Sequence, residues 1–336
     1  MSEKHLTIAD VARLSNTSTA TVSNYLNGRL SKMSEETRAR IARVIEETGY
    51  SPNGTAQALA SKSSQVIAVL IEDNTNTWAG QLVGSVEVVA HENGYQTFVC
   101  DTHFDPQVER SYVEKMLSLG VDGFIIQPTK HYRSVNERLR RAGKPVVFYD
   151  FSLMDLTSTW VKSDLYGGVY DAISSCVAKG YEEFIVLSAD PEDGMRTRAE
   201  RYQGISDALD EHGIRCRRVP VTHVSPTVDE LRRFFENNVN TARRTLVFCP
   251  HQWCLARTFK ALDTMRHLMP ERIGLLGLNN QEWTDLVEPG ISTIVEPVNE
   301  EGRLACSMLI NLIQNPESGP LQKMLSCQTR WLGSTL

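Results

Sequence analysis

The side chains that could do chemistry fall into three sets. The eight histidines and seven cysteines are the usual metal ligands and nucleophiles, and here they are scattered. There is no CxxC pair, no HExxH, no GxSxG elbow, no phosphate-binding GxxxxGK[ST] loop and no GxGxxG. No catalytic, metal or cofactor site is therefore expected, and an enzyme is the poorest-supported class. The second set is Arg196, Arg198 and Arg201 in the string RTRAERYQG. A guanidinium presents a planar fork of donors that matches a carboxylate or phosphate. The third set is a run of small hydrogen-bonding side chains between Ser15 and Asn27. Such groups can meet base edges or phosphates if a helix presents them.

Composition does not by itself favour a nucleic-acid partner. The chain has 336 residues, 35 Lys+Arg against 41 Asp+Glu, and a net charge of −6. That charge is uneven: residues 1–62 carry a net +2, leaving −8 for the remainder. Isolated cysteines, odd in number, fit a reducing cytoplasm better than a disulfide framework. The longest apolar run, Val66 to Ile71, is far shorter than a membrane span. The amino terminus turns polar at once, unlike a signal peptide.

The elements that must position these residues can be read from spacing. Thr7 with Asp10 makes a capping box for a first helix, whose apolar face would be Ile8, Val11, Ala12 and Leu14. Ser18 caps a second helix from Thr19 to about Leu26, with Val22 facing inward, and Asn27-Gly28 stops it. Ser34, Glu35 and Glu36 start a third helix that ends at Gly49. Three short helices with a tight turn between the first two describe a helix-turn-helix. From Val66 onward, apolar strand-like runs alternate with amphipathic helical stretches. That alternation predicts an α/β body of doubly wound parallel sheets, and its length calls for two lobes with ligand between them.

The string TIADVARLSNTSTATVSNYLNG, followed by SEETRARIARVIEETGYSPN and AQALA, resembles the DNA-binding head and hinge of LacI/GalR-family repressors. DNTNTWAG and RTRAERYQGISDAL are similar to that family's first-lobe loop and second-lobe effector helix. The resemblance implies an N-terminal helix-turn-helix head (1–50), a hinge (51–63) and two periplasmic-binding-protein-like lobes. The first lobe would comprise 64–161 and 292–324, the second 162–291 and 325–336. It also implies that Thr19, Ala20 and Asn24 read bases, while Thr7, Ser18, Thr21, Ser23 and Asn27 position the phosphate backbone. Asn can pair bidentately with adenine, and Thr or Ala can meet a thymine methyl. In the hinge, Leu59, with Ala56 nearby, would be the wedge that opens the minor groove.

For the effector cleft, the resemblance implies contacts from Asp73, Asn76, Trp78 and Gln127 on one side. Arg196, Arg198, Arg201, His251 and Asn279 would face them; Trp78 could stack on a sugar ring or belong to the core or an interface, and Arg196 and Arg198 could instead form a solvated face. Where relatives carry carboxylates, this chain has His251-Gln252 and Asn279-Asn280. The expectation is a cleft depleted of acids around retained arginines, suited to an anionic effector such as a sugar acid or sugar phosphate. The wider pattern resembles the ketodeoxygluconate/hexuronate branch of the family. The expected protein is thus a cytoplasmic, allosterically controlled transcriptional regulator of carbohydrate catabolism, acting as a repressor. Its partners would be palindromic double-stranded operator DNA, the effector and a second copy in a homodimer, with no membrane. The alternative is a cytoplasmic sugar-binding protein without regulatory DNA binding.

Overall fold

A computed structural model describes residues 6–31, 33–51, 63–151, 157–189 and 196–336, with the side chains of Arg196 and Thr197 excepted. The hinge positions Gly54, Ala56 and Leu59 lie outside the described residues. The chain divides into two compact units, Met1–Gln65 and Val66–Leu336.

The head contains α1 (Ile8–Leu14), α2 (Thr19–Leu26) and α3 (Glu35–Thr48). Each start is fixed by a side-chain cap. Thr7 and Asp10 form a reciprocal box, Ser18 Oγ accepts from the Thr21 amide at 3.1 Å, and Ser34 caps α3. Gly49 ends α3 at φ +61°, a conformation in which a Cβ would be strained. Val11, Ala12, Val22 and Ile41 are buried together, with Ile8, Tyr25, Leu26, Val44 and Ile45 packed around them. Leu14 departs from the expected apolar face and is half-exposed. The buried position at that end of α1 is taken by Ser15, whose hydroxyl donates to Val11 O at 2.7 Å.

The body holds two six-stranded sheets. The first contains β1 (Val66–Ile71), β2 (Gln96–Asp101), β3 (Gly123–Ile126), β4 (Val146–Tyr149), β5 (Trp160–Asp164) and β11 (Gln322–Ser326). Its order is β11-β5-β4-β3-β1-β2, parallel throughout. The second contains β6 (Glu183–Ser188), β7 (Cys216–Pro220), β8 (Thr245–Phe248), β9 (Ile273–Leu278), β10 (Ser292–Val295) and β12 (Gln328–Arg330). Its order is β12-β10-β9-β8-β6-β7, with only β12 antiparallel. The apolar runs are central strands because helices cover both faces: Ile67 through Leu70 and Leu275 and Leu276 are fully buried. The short polar strands β5, β7, β11 and β12 carry no such apolar signal in the sequence.

Each sheet has its own helices. On the first lie α4 (Thr77–Glu92), α5 (Pro106–Leu119), α6 (Tyr132–Arg141) and α12 (Val298–Gln314). On the second lie α7 (Leu165–Ala178), α8 (Arg196–Asp210), α9 (Val228–Asn238), α10 (Gln252–Ala261) and the short α11 (Gln281–Thr284). The chain passes between sheets after Asp164, Val295 and Ser326, a few residues beyond the expected 161, 291 and 324. Strand β10 pairs with β9, so Ser292–Val295 sits in the second sheet rather than the first lobe. The reason is register: Ser292, Thr293 and Ile294 complete the buried face of the second sheet before the chain leaves it.

Helices α4 and α12 meet closely at Gly302. A Cβ there would collide with Ser85 Oγ and stand 2.6 Å from Leu82 O, which is backbone and cannot swing away. Gly302→Ala is expected to cost about 1–3 kcal/mol of unfolding free energy. Denaturant unfolding of the two proteins side by side measures it, and an unchanged midpoint would contradict the close approach.

Candidate functional site

In open parallel sheets the space beyond the carboxyl ends of the strands is where ligands lodge. Here the two sheets bring those ends to one cleft. Glu72 and Asp73 follow β1, Phe104 follows β2, Gln127 follows β3 and Asp150 follows β4. From the other side come His251, Gln252 and Trp253 after β8, Asn279 after β9 and Glu296 after β10. Arg198 and Arg201 enter from the first turns of α8. Asp73, Asn76, Trp78, Gln127, Arg198, Arg201, His251 and Asn279 therefore lie together, drawn from segments more than 200 residues apart in sequence. The side chain of Arg196 is outside the described residues.

Two side-chain contacts tie the lobes across the cleft. The Gln252 amide donates to Asn76 Oδ1, and Lys162 Nζ on β5 pairs with Glu200 on α8. Asn76 also caps α4, accepting from the Trp78 amide at 3.0 Å. Between these contacts Arg201 donates through Nη1 to Pro250 O at 2.8 Å, while its buried Nε has no hydrogen-bond partner.

The expectation of an acid-depleted cleft is overturned. Glu72, Asp73, Asp150 and Glu296 all line it, and Glu301 lies directly behind. Comparing the loops after β8 and β9 alone could not reveal this, because Asp150 and Glu296 come from the ends of β4 and β10. Asp150 Oδ2 accepts from Gln127 Nε2 at 2.8 Å, and its amide donates to Glu301 Oε1 at 3.0 Å. Glu301 is fully buried and accepts from Ser163 Oγ at 2.9 Å. Burial, and next the neighbouring Glu296, push the Asp150 carboxyl up to about 7. Burial likewise raises Glu296, against the pull of Arg201, and raises Glu301 further with Asp150 beside it. Asp150 therefore titrates close to neutral pH, and Glu296 and Glu301 shift in the same direction, as desolvation and like charge require. In their protonated form these carboxyls can donate as well as accept hydrogen bonds.

Three other residues have their side chains already engaged. Trp78 takes the core alternative, 5% exposed and stacked on Tyr149 at 6.1 Å. Its buried indole N–H makes no well-formed hydrogen bond and lies beside Glu296, whose carboxyl it helps to hold down. Asn279 is bound on both atoms of its amide, donating to Glu296 Oε1 at 2.7 Å and accepting from the Glu296 amide at 3.0 Å. Asn279 and Asn280 both hold positive φ, +54° and +63°, which Asn tolerates better than other side chains with a Cβ. His251 is buried, with Nε2 at 2.7 Å from the Tyr202 hydroxyl. Burial, and then Arg201, press its pKa down to about 2, so it stays a neutral imidazole. The aromatic lining missed from sequence is Phe104 and Trp253, the latter stacked between His251 at 5.2 Å and His223 at 4.4 Å. A lone Trp opening a helix gave no signal that its ring turns into a cleft.

On the head, Thr19, Ala20 and Asn24 are exposed on α2, whose buried residue is Val22. Several of the expected phosphate-positioning groups also hold the fold. Thr7 Oγ1 donates to Asp10 Oδ2 at 2.8 Å, Ser18 and Thr21 share a hydroxyl contact at 2.8 Å, and Asn27 Nδ2 donates to Ser23 O at 2.8 Å. Among the described residues no group of histidine, cysteine, aspartate or glutamate is placed to hold a metal. No described helix is long and apolar enough to cross a membrane.

The raised carboxyl group fixes a pH dependence. Between the ordinary aspartate range near 3.8 and about 7, the folded protein holds a proton on Asp150 that the unfolded chain releases. Stability from this site is therefore greatest at the acid end and falls as pH rises through that window. Asp150→Asn should flatten the decline, which thermal unfolding of both proteins from pH 4 to 8 would show. Parallel profiles would refute the raised pKa.

Residues 7–53 match the family model "Bacterial regulatory proteins, lacI family", and residues 173–335 match "Periplasmic binding protein-like domain". The chain is 28% identical over 320 residues to the HTH-type transcriptional regulator KdgR of Bacillus subtilis (strain 168), covering 94% of each protein. Its fold resembles the lac repressor dimer bound to operator and the anti-inducer ONPF, with a TM-score of 0.81 at 21% identity, covering 99% of this chain and 100% of that one. It also resembles a LacI-family regulator from Enterococcus faecium with bound ribose, with a TM-score of 0.68 at 23% identity, covering 80% of this chain and 98% of that one. With a helix-turn-helix whose α2 carries an exposed polar face, and a two-sheet body closing on a polar cleft, this chain belongs to the LacI family of bacterial transcriptional regulators.

Proposed function

We propose that the protein is a cytoplasmic repressor that binds a palindromic operator as a homodimer and responds to a small acidic carbohydrate in the cleft. The observation that carries the DNA half is the division of α2 into two faces. Val22 is buried in the head while Thr19 and Ala20, at the helix start where a recognition helix meets base edges, and Asn24, more than a turn further on, stay exposed. Thr7, Ser18, Thr21, Ser23 and Asn27 are the backbone-positioning groups of this reading, and Ala56 and Leu59 its hinge contacts. Asn24→Ala should weaken specific operator binding by about 1–3 kcal/mol and relax preference at one base pair. A gel-shift titration with operator variants measures both. Unchanged affinity and preference would remove Asn24 from the reading surface.

The effector half rests on Arg198 and Arg201 entering a cleft where burial raises the carboxyls of Asp150 and Glu296. A polyhydroxy acid could place its carboxylate on Arg201 and its hydroxyls on Asp150, Glu296 and Gln127. Because any ionised Asp150 would repel that carboxylate, binding takes up a proton and should tighten as pH falls from 8 to 6. Isothermal titration with D-gluconate, D-glucuronate and 2-keto-3-deoxy-D-gluconate, repeated on Arg201→Ala, tests the charge assignment. Stabilisation by neutral sugars alone would overturn it. An effector that favours one lobe orientation can couple to DNA through the head-bearing ends of a dimer. Support for the dimer comes from half-exposed apolar side chains on the first lobe, Val88, Phe98 and Val99, and from Val224 and Leu286 on the second. Introducing charge at both, Phe98→Glu with Leu286→Glu, should yield a monomer in sedimentation and abolish high-affinity binding to a palindrome.

A further inference from the structure

Phe104 plays no part in the reading above, yet its placement is costly. Residues Thr102–Asp105 form a tight turn closed by the Asp105 amide donating to Thr102 O at 2.9 Å. Its two central residues, His103 and Phe104, both hold positive φ, +50° and +58°. Turns with two left-handed central residues are dominated by Gly, Asn and Asp. Histidine is tolerated in this region but phenylalanine is ill-suited to it, and such strain persists only where the surroundings enforce it.

The surroundings do so. Thr102 is fully buried and donates to Ile71 O through both its amide, at 2.8 Å, and its hydroxyl, at 3.0 Å. Asp101 Oδ1 accepts from the His103 amide at 2.9 Å and lies 3.2 Å from His103 Nδ1. Asp101 Oδ2 accepts from the Asn74 amide at 2.9 Å, tying the turn to the loop after β1. Asp105 in turn caps α5 through the Gln107 amide at 2.7 Å. All this holds Phe104 on the wall of the cleft with 44% of its surface uncovered. A ring that contributes so little to the core gives the fold small return for the backbone strain. Trp253 lines the same cleft from the second lobe, fixed by its stacks on His223 and His251.

We propose that Phe104 is a specificity-determining residue: with Trp253 it covers the C–H faces of the effector's carbon skeleton, selecting a ligand with an apolar stretch or face. This rests on the acidic-carbohydrate reading and deepens it. Arg201 would fix one charged end, while the two rings judge what lies along the chain. Among sugar acids, one bearing a deoxygenated carbon would leave fewer hydroxyls against the rings than its fully hydroxylated counterpart. Ring faces accept C–H surface and leave hydroxyls without partners.

The test uses the full-length dimer, with 2-keto-3-deoxy-D-gluconate and D-gluconate as probes in calorimetric titration. Phe104→Ala should weaken the deoxy acid about tenfold and narrow its advantage over D-gluconate, while ligand-free operator affinity is unchanged. Phe104→Tyr should restore the preference. Equal loss for both acids, or no loss, would overturn the proposal. Arg201→Ala separates it from the underlying reading, because that change should weaken both acids alike. If neither acid binds the wild type, the acidic-effector reading fails, and the turn is judged without ligand. There Phe104→Asn should raise or preserve the melting temperature, since Asn suits the left-handed turn. A fall would make Phe104 a structural residue and sink the proposal.

Discussion

Arg201 enters the cleft between the two sheets within electrostatic reach of Asp150, from the first, and Glu296, from the second, and that burial of unlike charges constrains the cleft. A guanidinium is always charged and tolerates partial burial only where acceptors surround it. Pro250 O supplies one acceptor, and the nearby carboxyls supply the opposing field. Burial raises those carboxyls, which weakens the field they set against the guanidinium.

The sheets make this arrangement possible. A parallel strand ends at the same edge as its neighbours, so the residues after β1, β3 and β4 converge without being close in sequence. The same holds for those after β8, β9 and β10. Lys162 with Glu200, and Gln252 with Asn76, then hold the two edges face to face. Each contact joins a residue of one sheet's framework to a helix on the other. A ligand that replaces or reinforces them shifts the lobes as bodies, because the packed cores beneath deform little. The strained turn at His103-Phe104 belongs to the same economy, being anchored by Thr102 and Asp101 at the end of β2.

The head follows a simpler logic. Its three helices are short, so each relies on a capped start and on a few buried side chains, Val11, Ala12, Val22 and Ile41. Some hydroxyls that suit phosphate contacts are already used as caps. Ser18 accepts from the Thr21 amide, and Thr7 is locked in a box with Asp10. A capping hydroxyl keeps lone pairs and a proton to share, so one group can start the helix and still meet a backbone oxygen. The modest positive charge of this segment makes such neutral contacts more important.

What the sequence determined by itself was everything carried by local pattern. The caps at Thr7, Ser18 and Ser34, the stop at Gly49 and the apolar central strands are short-range consequences of side-chain chemistry, and so were legible. So was the grouping of Arg198 and Arg201, which share one helix. Leu14 marks the limit of even that reading, since helical spacing could not tell whether its edge of α1 faces the core or solvent. Tertiary structure alone decided the character of the cleft. Asp150 is far in the chain from Glu296 and Glu301, and only the meeting of the sheet edges with the helix that carries Glu301 makes them a buried cluster with raised pKa values. It also turned Trp78 against Tyr149, committed Asn279 to Glu296, and left Trp253 and Phe104 as the rings lining the cleft. The physical reason is that charge state and exposure are properties of surroundings, and those surroundings come from segments that meet only once both sheets are formed.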